Sequence, residues 1–481
     1  MSLALLHWSF AIPEIWILAM ACVLLLVDVF WGKHHPDLSF ALALFSVAGA
    51  MLLTWGEMGR TGTTFFGQLQ MDPFTNVAGL FVELLTFLTL LYSRRYLQRR
   101  GLYRGEVFVL LLFALLGALI LISGANVLVL YLGLELLALS QYALIAFQRQ
   151  NLRATEAALK YFILGALASA LLLYGISLLY GLTGSLDLAR VAEGLINSGQ
   201  ANYLLMLAVV FLVAGIAFKL GAAPFHMWLP DTYQGAPTVV TIFLSSVPKI
   251  AVFGLFLRIL VEGGYGSLEI WRQIFVALVV VSLLIGNVVA IAQSNLKRML
   301  AYSTVGNMGF LALGIVAGGQ NGLASAFFYA VVYALMATAA FGLILYLSRE
   351  GFEAEEIADL RGLVRTRPWS AFLLLLIMFS LAGVPPTIGF YAKLVVFQAL
   401  IEAHFLWLAV FGVLMAVVSA FYYLRVLKVA LFDPPAEDLR YGADDPLAAS
   451  TLSVNSLALL LLGIFPGPMM AICFHALQGV L

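Results

Sequence analysis

Charge is what this sequence has least of. Only 10% of its 481 residues are Asp, Glu, Lys or Arg, while 63% are hydrophobic; a soluble domain carries roughly 25% charged residues. No hydrophilic stretch exceeds about 20 residues, too short to fold independently, so soluble domains are excluded and a single membrane domain over 1–481 is expected. A formal net charge of zero excludes a strongly basic nucleic-acid binder. Cysteine is nearly absent: Cys22 and Cys473 lie in the first and last apolar segments and read as small apolar residues rather than metal ligands. There is no GxGxxG after a strand, no cysteine cluster and no haem histidine pair, so electron transfer within this chain has no support. A basic signal-peptide start is also missing, and the first apolar run, from Ile12 to Trp31, is expected to remain as a spanning helix.

What the chain has in abundance is apolar runs of spanning length. A bilayer needs about 20 apolar residues per helix, and cutting at polar or Gly/Pro breaks predicts an all-α polytopic protein of about 14 transmembrane helices. Spans 1 to 3 occupy 1–105, spans 4 to 8 occupy 106–261, spans 9 to 13 occupy 270–430 and span 14 occupies 450–481. Basic residues divide unequally between the two sets of loops. Lys33, the run from Arg94 to Arg104, Arg149, Arg153, Lys297, Arg298, the group from Arg349 to Arg367, and Arg440 fall on one side. Only Arg60, Arg190 and Arg272 fall on the other. The asymmetry places both termini outside, periplasmic in a bacterium.

Two spans exceed what a bilayer requires and are interrupted: 203–232 at GAAP and 370–401 at GVPPTIG. They are the seventh and twelfth, each fourth in a block of five. This predicts two inverted five-helix repeats, spans 4 to 8 and 9 to 13, with discontinuous helices 7 and 12. An odd-numbered repeat reverses direction across the membrane, and such symmetry brackets ion pathways. Broken backbone is tolerated at that depth only when buried in protein or lining a wet cavity.

The same segments hold the charges a bilayer tolerates least. Arginine dominates the loops; lysine dominates the spans, at Lys160, Lys219, Lys249, Lys393 and Lys428. A buried lysine can give up its proton whereas arginine stays charged. Lys219 lies about 16 residues, roughly 24 Å, into its span, just before the GAAP break. Glu135, near mid-depth in LGLELLALSQYAL, is its candidate partner, and the separation of such a pair controls how tightly the lysine holds its proton. Lys249 follows Pro248, which removes a backbone hydrogen bond and kinks its helix beside Ser245 and Ser246. Lys393 follows the second break. Lys160 lies four residues after Glu156, so a local ion pair and a relay role both fit. His226 adjoins the first break; it could bridge Lys219 to Lys249, since imidazole titrates near neutrality, or simply satisfy loose helix ends. Glu83 reads as structural, Arg258, Arg425 and Lys428 as snorkelling near helix ends, and Asp72 before Pro73 as a helix N-cap. The mixed-charge segment from Arg349 to Arg367 reads as a solvated loop or a subunit contact.

With these residues in view the chain resembles the antiporter-like membrane subunits of proton-pumping NADH:quinone oxidoreductase, respiratory complex I, and its N-type branch in particular. The motifs are LGLELLALSQYAL, FKLGAAPFHMWLPDTYQGAPT, SSVPKIA, QSNLKRMLAYSTVGNMGF and LAGVPPTIGFYAKL. Tyr233, Gln234, Gly235, Ala236 and Pro237 favour that branch over its sisters. The resemblance implies a proton channel in which Glu135 and Lys219 form the coupled pair, Lys249 the central relay and Lys393 the exit-side relay. It implies an inner-membrane location, other membrane subunits of complex I as partners, including a sister antiporter-like subunit, and the lipid bilayer around them, with no nucleic acid. It places NADH, FMN, iron–sulfur clusters and quinone, whether ubiquinone or menaquinone, in other subunits and no cofactor or metal in this chain. Multisubunit cation/proton antiporters share this fold and much of the lysine chemistry, and form the alternative.

Overall fold

The computed structural model describes residues 7–32, 35–198, 203–264, 268–435, 441–442 and 445–479. Lys33 and Arg440, used above for orientation, lie outside the described residues. Nineteen α-helices are seen among the described residues. The first six are α1 (Ile12–Val27), α2 (Pro36–Gly56), α3 (Pro73–Arg99), α4 (Gly105–Ser123), α5 (Val127–Ile145) and α6 (Leu152–Thr183). They are followed by α7 (Leu188–Ser198), α8 (Tyr203–Leu220), α9 (Trp228–Gly235), α10 (Thr238–Phe256), α11 (Leu268–Ile291), α12 (Leu296–Ala317) and α13 (Gly319–Leu347). The chain closes with α14 (Leu363–Thr366), α15 (Pro368–Ala382), α16 (Ile388–Glu402), α17 (Leu406–Phe432), α18 (Pro446–Ile464) and α19 (Gly467–Ala476).

Among the described residues 13 helices are long and apolar enough to cross a membrane. The remaining pass of the expected fourteen is the pair α15 and α16. The seventh pass is likewise split, into α8 and α9. Three features escaped the sequence. The last span, expected as one helix within 450–481, is broken at Phe465 and Pro466 into α18 and α19. An amphipathic helix, α7, occupies what was expected to be a loop. A short antiparallel hairpin, β1 (Gly62–Thr64) with β2 (Leu69–Met71), leads into α3. Asp72 caps α3 as expected, its carboxylate accepting from the Thr75 amide at 2.7 Å with Pro73 in the first turn.

The core sits in the middle of the bundle. Every residue of α10 is buried, and α12 and α13 are nearly so, as helices apolar on all sides require. The outer passes α1, α2, α6 and α17 leave many large apolar side chains exposed. Burial of α10 makes its proline kink demanding, because Pro248 cannot donate to the carbonyl of Leu244. The Tyr233 hydroxyl donates to that carbonyl at 3.3 Å, while Ser245 and Ser246 both donate to Ile242. Tyr233 thus satisfies the kink from the far side of the seventh-pass break.

The snorkelling expected of Arg258 is overturned. Its helix continues beyond α10 as a wider turn, Leu257–Glu262, and turns the guanidinium inward to 0% exposure. There it pairs with Asp72 at 2.7 Å and with Glu262, and donates to Thr75 Oγ1 at 2.8 Å and the Ile122 carbonyl at 3.1 Å. A buried guanidinium needs all of these partners to offset its lost hydration. Arg425 instead donates to the carbonyls of Ile291 and Gln293, both at 2.6 Å, closing the end of α11. The segment from Arg349 to Arg367 is not a free loop, though Arg349, Glu350, Arg361 and Arg365 remain exposed. It folds back on the start of α12, with Leu296 N donating to Glu355 O and Ile357 N to Ser294 O.

Candidate functional site

Breaking a helix at membrane depth frees carbonyls that need donors. Among the described residues the two broken passes solve this in the same way. The first half of pass 7 ends at Leu220, and its carbonyl accepts from Lys249 Nζ at 2.7 Å. The first half of pass 12 ends at Ala382, and Lys393 Nζ donates to the carbonyls of Leu381 at 3.2 Å and Ala382 at 2.9 Å. Lys249 comes from α10 and Lys393 from α16, so equivalent carbonyls are reached from different elements. Both amines are buried, and both lie beside an aromatic face: Lys249 is 5.6 Å from the Trp228 ring centre and Lys393 4.8 Å from that of Phe310. The negative end of each half-helix attracts the ammonium form, while the dry walls oppose any charge.

Each break opens with a glycine in the left-handed region, Gly221 at φ 81 and Gly383 at φ 83. A side chain there costs about 1–2 kcal/mol in backbone strain. It would also strike the site: a Cβ on Gly383 falls 2.9 Å from Lys393 Cδ, and one on Gly221 runs into Leu229 Cδ1. Gly383→Ala is therefore expected to lower the thermal unfolding midpoint and to lift Lys393 off its carbonyls. A melting curve and an activity assay on the assembled protein check this together.

Lys219 is placed differently. It is 6% exposed, and its Nζ has no hydrogen-bond partner; nor does Glu135 Oε1. The two do not form a contact ion pair in this structure. Lys219 looks instead onto the rings of Tyr142 and Phe218, each 6.0 Å away. A cavity of ≈ 10 Å³, about one water, lies between Lys219, Gln141, Tyr161, Trp228 and Pro248. Trp228 closes it toward Lys249, stacking on Tyr161 at 4.3 Å and donating its indole N–H to the Phe218 carbonyl at 2.9 Å.

The remaining candidates divide. His226 makes no hydrogen bond to either lysine; its Nδ1 is buried without a partner and its ring faces Tyr302. Lys160 is not at buried depth: its side chain is 44% exposed. It pairs with Glu156 at 2.7 Å, as its spacing suggested, and with Asp231 at 2.8 Å. Arg298 also reaches Asp231, at 2.6 Å. Glu156, Lys160 and Asp231 line a cleft of ≈ 300 Å³ with Arg153 and Gln234. Glu83 is engaged locally, its carboxyl accepting from the Thr54 hydroxyl at 2.8 Å.

Two groups were missed from sequence. Lys297, assigned to a loop, lies in the first turn of α12, 2% exposed, with Nζ on the Ala236 carbonyl at 2.9 Å. The signal was Asn295, which caps α12 by accepting from Arg298 N at 3.0 Å and so draws Lys297 into the helix. The second is a hydroxyl and amide network between α12 and its neighbours. Thr304 meets Tyr333 at 2.6 Å, Asn307 meets Tyr329 at 2.8 Å, and Ser303 meets Tyr423 at 2.5 Å. Ser303, Thr304 and Asn307 stand at helical spacing in AYSTVGN, on faces that only packing partners reveal as polar.

Comparison with known proteins agrees with this architecture. Residues 124–419 match the family described as NADH:quinone oxidoreductase/Mrp antiporter, TM. The chain is 64% identical over 477 residues to NADH-quinone oxidoreductase subunit N of Acidithiobacillus ferrooxidans, covering 99% of both chains. It is 50% identical over 480 residues to the subunit of the same name from Thiobacillus denitrificans, covering 99% of both. Among solved structures it matches a chain of respiratory complex I from Thermus thermophilus with a TM-score of 0.82 and 32% identity, covering 95% of this chain and 98% of that one. A chain of the Mrp complex from a Dietzia species matches with a TM-score of 0.85 at 19% identity, covering 98% of each chain, a likeness of fold alone. Near-complete coverage at this identity leaves one assignment: the chain belongs to the antiporter-like membrane-subunit family of NADH-quinone oxidoreductase, within its subunit N branch.

Proposed function

We propose that this chain translocates protons across the inner membrane as a membrane subunit of NADH:quinone oxidoreductase. The observation that carries the reading is the matched pair of broken helices, each with a buried lysine on the last carbonyl of its first half. A lysine so placed can hold a proton against the helix end and release it when its surroundings change. Glu135 and Lys219 are the switch. Closing their gap strengthens the hold of Lys219 on its proton; opening it weakens that hold. The released proton passes through the one-water cavity and around Trp228 to Lys249, and onward to Lys393. His226 at the break and Lys160 at the basic-loop face take part beside them.

The basic loops lie in the cytoplasm and both termini in the periplasm; driven by quinone reduction in other subunits, protons move from cytoplasm to periplasm. NADH, FMN, iron–sulfur clusters and quinone are held by other subunits, and redox energy reaches this chain conformationally and electrostatically. Its neighbours are other membrane subunits, a sister antiporter-like subunit among them. The test replaces Lys219 by Met and Glu135 by Gln, singly, in the assembled complex. Proton translocation per NADH oxidised is expected to fall strongly for Lys219→Met and more mildly for Glu135→Gln. Unchanged translocation in both, with assembly intact, sinks the proposal.

A further inference from the structure

Lys297 shares its surroundings with Lys249 and Lys393. All three amines are buried, and each donates to a carbonyl where a half-helix of a broken pass ends: Leu220 after α8, Ala382 after α15, and Ala236 after α9. Lys297 also stands where a purely structural lysine is disfavoured, in the first turn of α12, whose positive end repels a cation. It faces the basic-loop side, beneath a cluster that joins three separate elements. Glu353 accepts from Arg100, from the Thr238 hydroxyl and from the Tyr96 hydroxyl at 3.2 Å. Glu355 stands beside it, paired with Arg153 at 3.6 Å. Burial pushes the Glu355 carboxyl above its ordinary value, with Lys297 opposing the shift.

From Ala236 a polar edge leads inward along α10. Thr241 Oγ1 donates to the Tyr233 carbonyl at 3.2 Å, and the Tyr233 hydroxyl donates to Leu244 at 3.3 Å. Lys249 follows one turn later, about 17 Å from Thr238 at 1.5 Å per residue.

We infer that Lys297 is the proton-uptake site of the first repeat: its neutral amine accepts a proton from the cytoplasmic side, beneath Glu353, and passes it along α10 toward Lys249. The inference rests on the relay reading above and adds a residue to it. The experiment compares Lys297→Met and Lys297→Arg in the assembled complex, with Lys249→Met beside them. Arginine keeps the donor and the charge but does not give up its proton. Both Lys297 variants are expected to lose translocation about tenfold or more, with normal amounts of assembled complex. Normal translocation in Lys297→Arg overturns the inference, whatever Lys297→Met does, because a cap on Ala236 is then all that is needed. If Lys297→Met fails to assemble, the arginine variant alone decides. Normal translocation in Lys249→Met instead overturns the relay reading itself, so the two failures are distinguishable.

Discussion

Lys249→Met and Lys393→Met are each expected to abolish most proton translocation, by about a hundredfold, the low end of what a positioned proton-transfer group contributes. Methionine fills the buried space of the stem but carries no proton, and it leaves Leu220, or Leu381 and Ala382, with carbonyls that have lost their donor. Loss of that hydrogen bond costs about 1–3 kcal/mol of stability, so assembly has to be measured alongside activity. Lys393→Arg separates the two effects. It retains a donor for both carbonyls but does not release a proton at any working pH. The arginine variant is expected to assemble normally and still fail to pump. Translocation and NADH oxidation measured in the same membrane vesicles decide this, and a pumping Lys393→Arg complex refutes a relay role for that residue.

The largest stability effect is expected at Arg258. Arg258→Met removes the one cation between Asp72 and Glu262 and strips donors from Thr75 and Ile122. Breaking a buried pair from one side leaves charge without compensation, at a cost of about 3–5 kcal/mol. Asp72 also caps α3, so the damage extends to the start of that helix. Arg258→Lys restores the charge but not the fork of donors, and is expected to fall between wild type and Arg258→Met. Thermal unfolding of the purified protein orders the three. Equal midpoints for Arg258→Met and wild type contradict a structural role for this cluster.

Much of this architecture is legible in the chain. The breaks at GAAP and GVPPTIG fall where α8 and α15 end, because glycine and proline act locally on the backbone, whatever surrounds them. Asp72 before Pro73 and Glu156 before Lys160 act within one turn, and both contacts form as their spacing implies. Arg258 and Lys297 depart from their expected positions for a common reason. Each lies near the end of a hydropathic span, where apolar content cannot distinguish a side chain reaching outward from one turned inward. The widened turn at Leu257–Glu262 turns Arg258 inward, and the Asn295 cap draws Lys297 into α12.

The sequence by itself determined that this is a membrane protein, that two of its helices break at GAAP and GVPPTIG, and that Lys219, Lys249 and Lys393 are sunk among apolar residues. Those properties follow from composition and backbone chemistry close at hand. Only the tertiary structure decided what each lysine touches. It set Lys249 and Lys393 on equivalent carbonyls, held Lys219 apart from Glu135, and brought Tyr233 to the proline kink. These contacts join residues from different helices, and whether two helices meet depends on how the whole bundle packs, which no local pattern encodes.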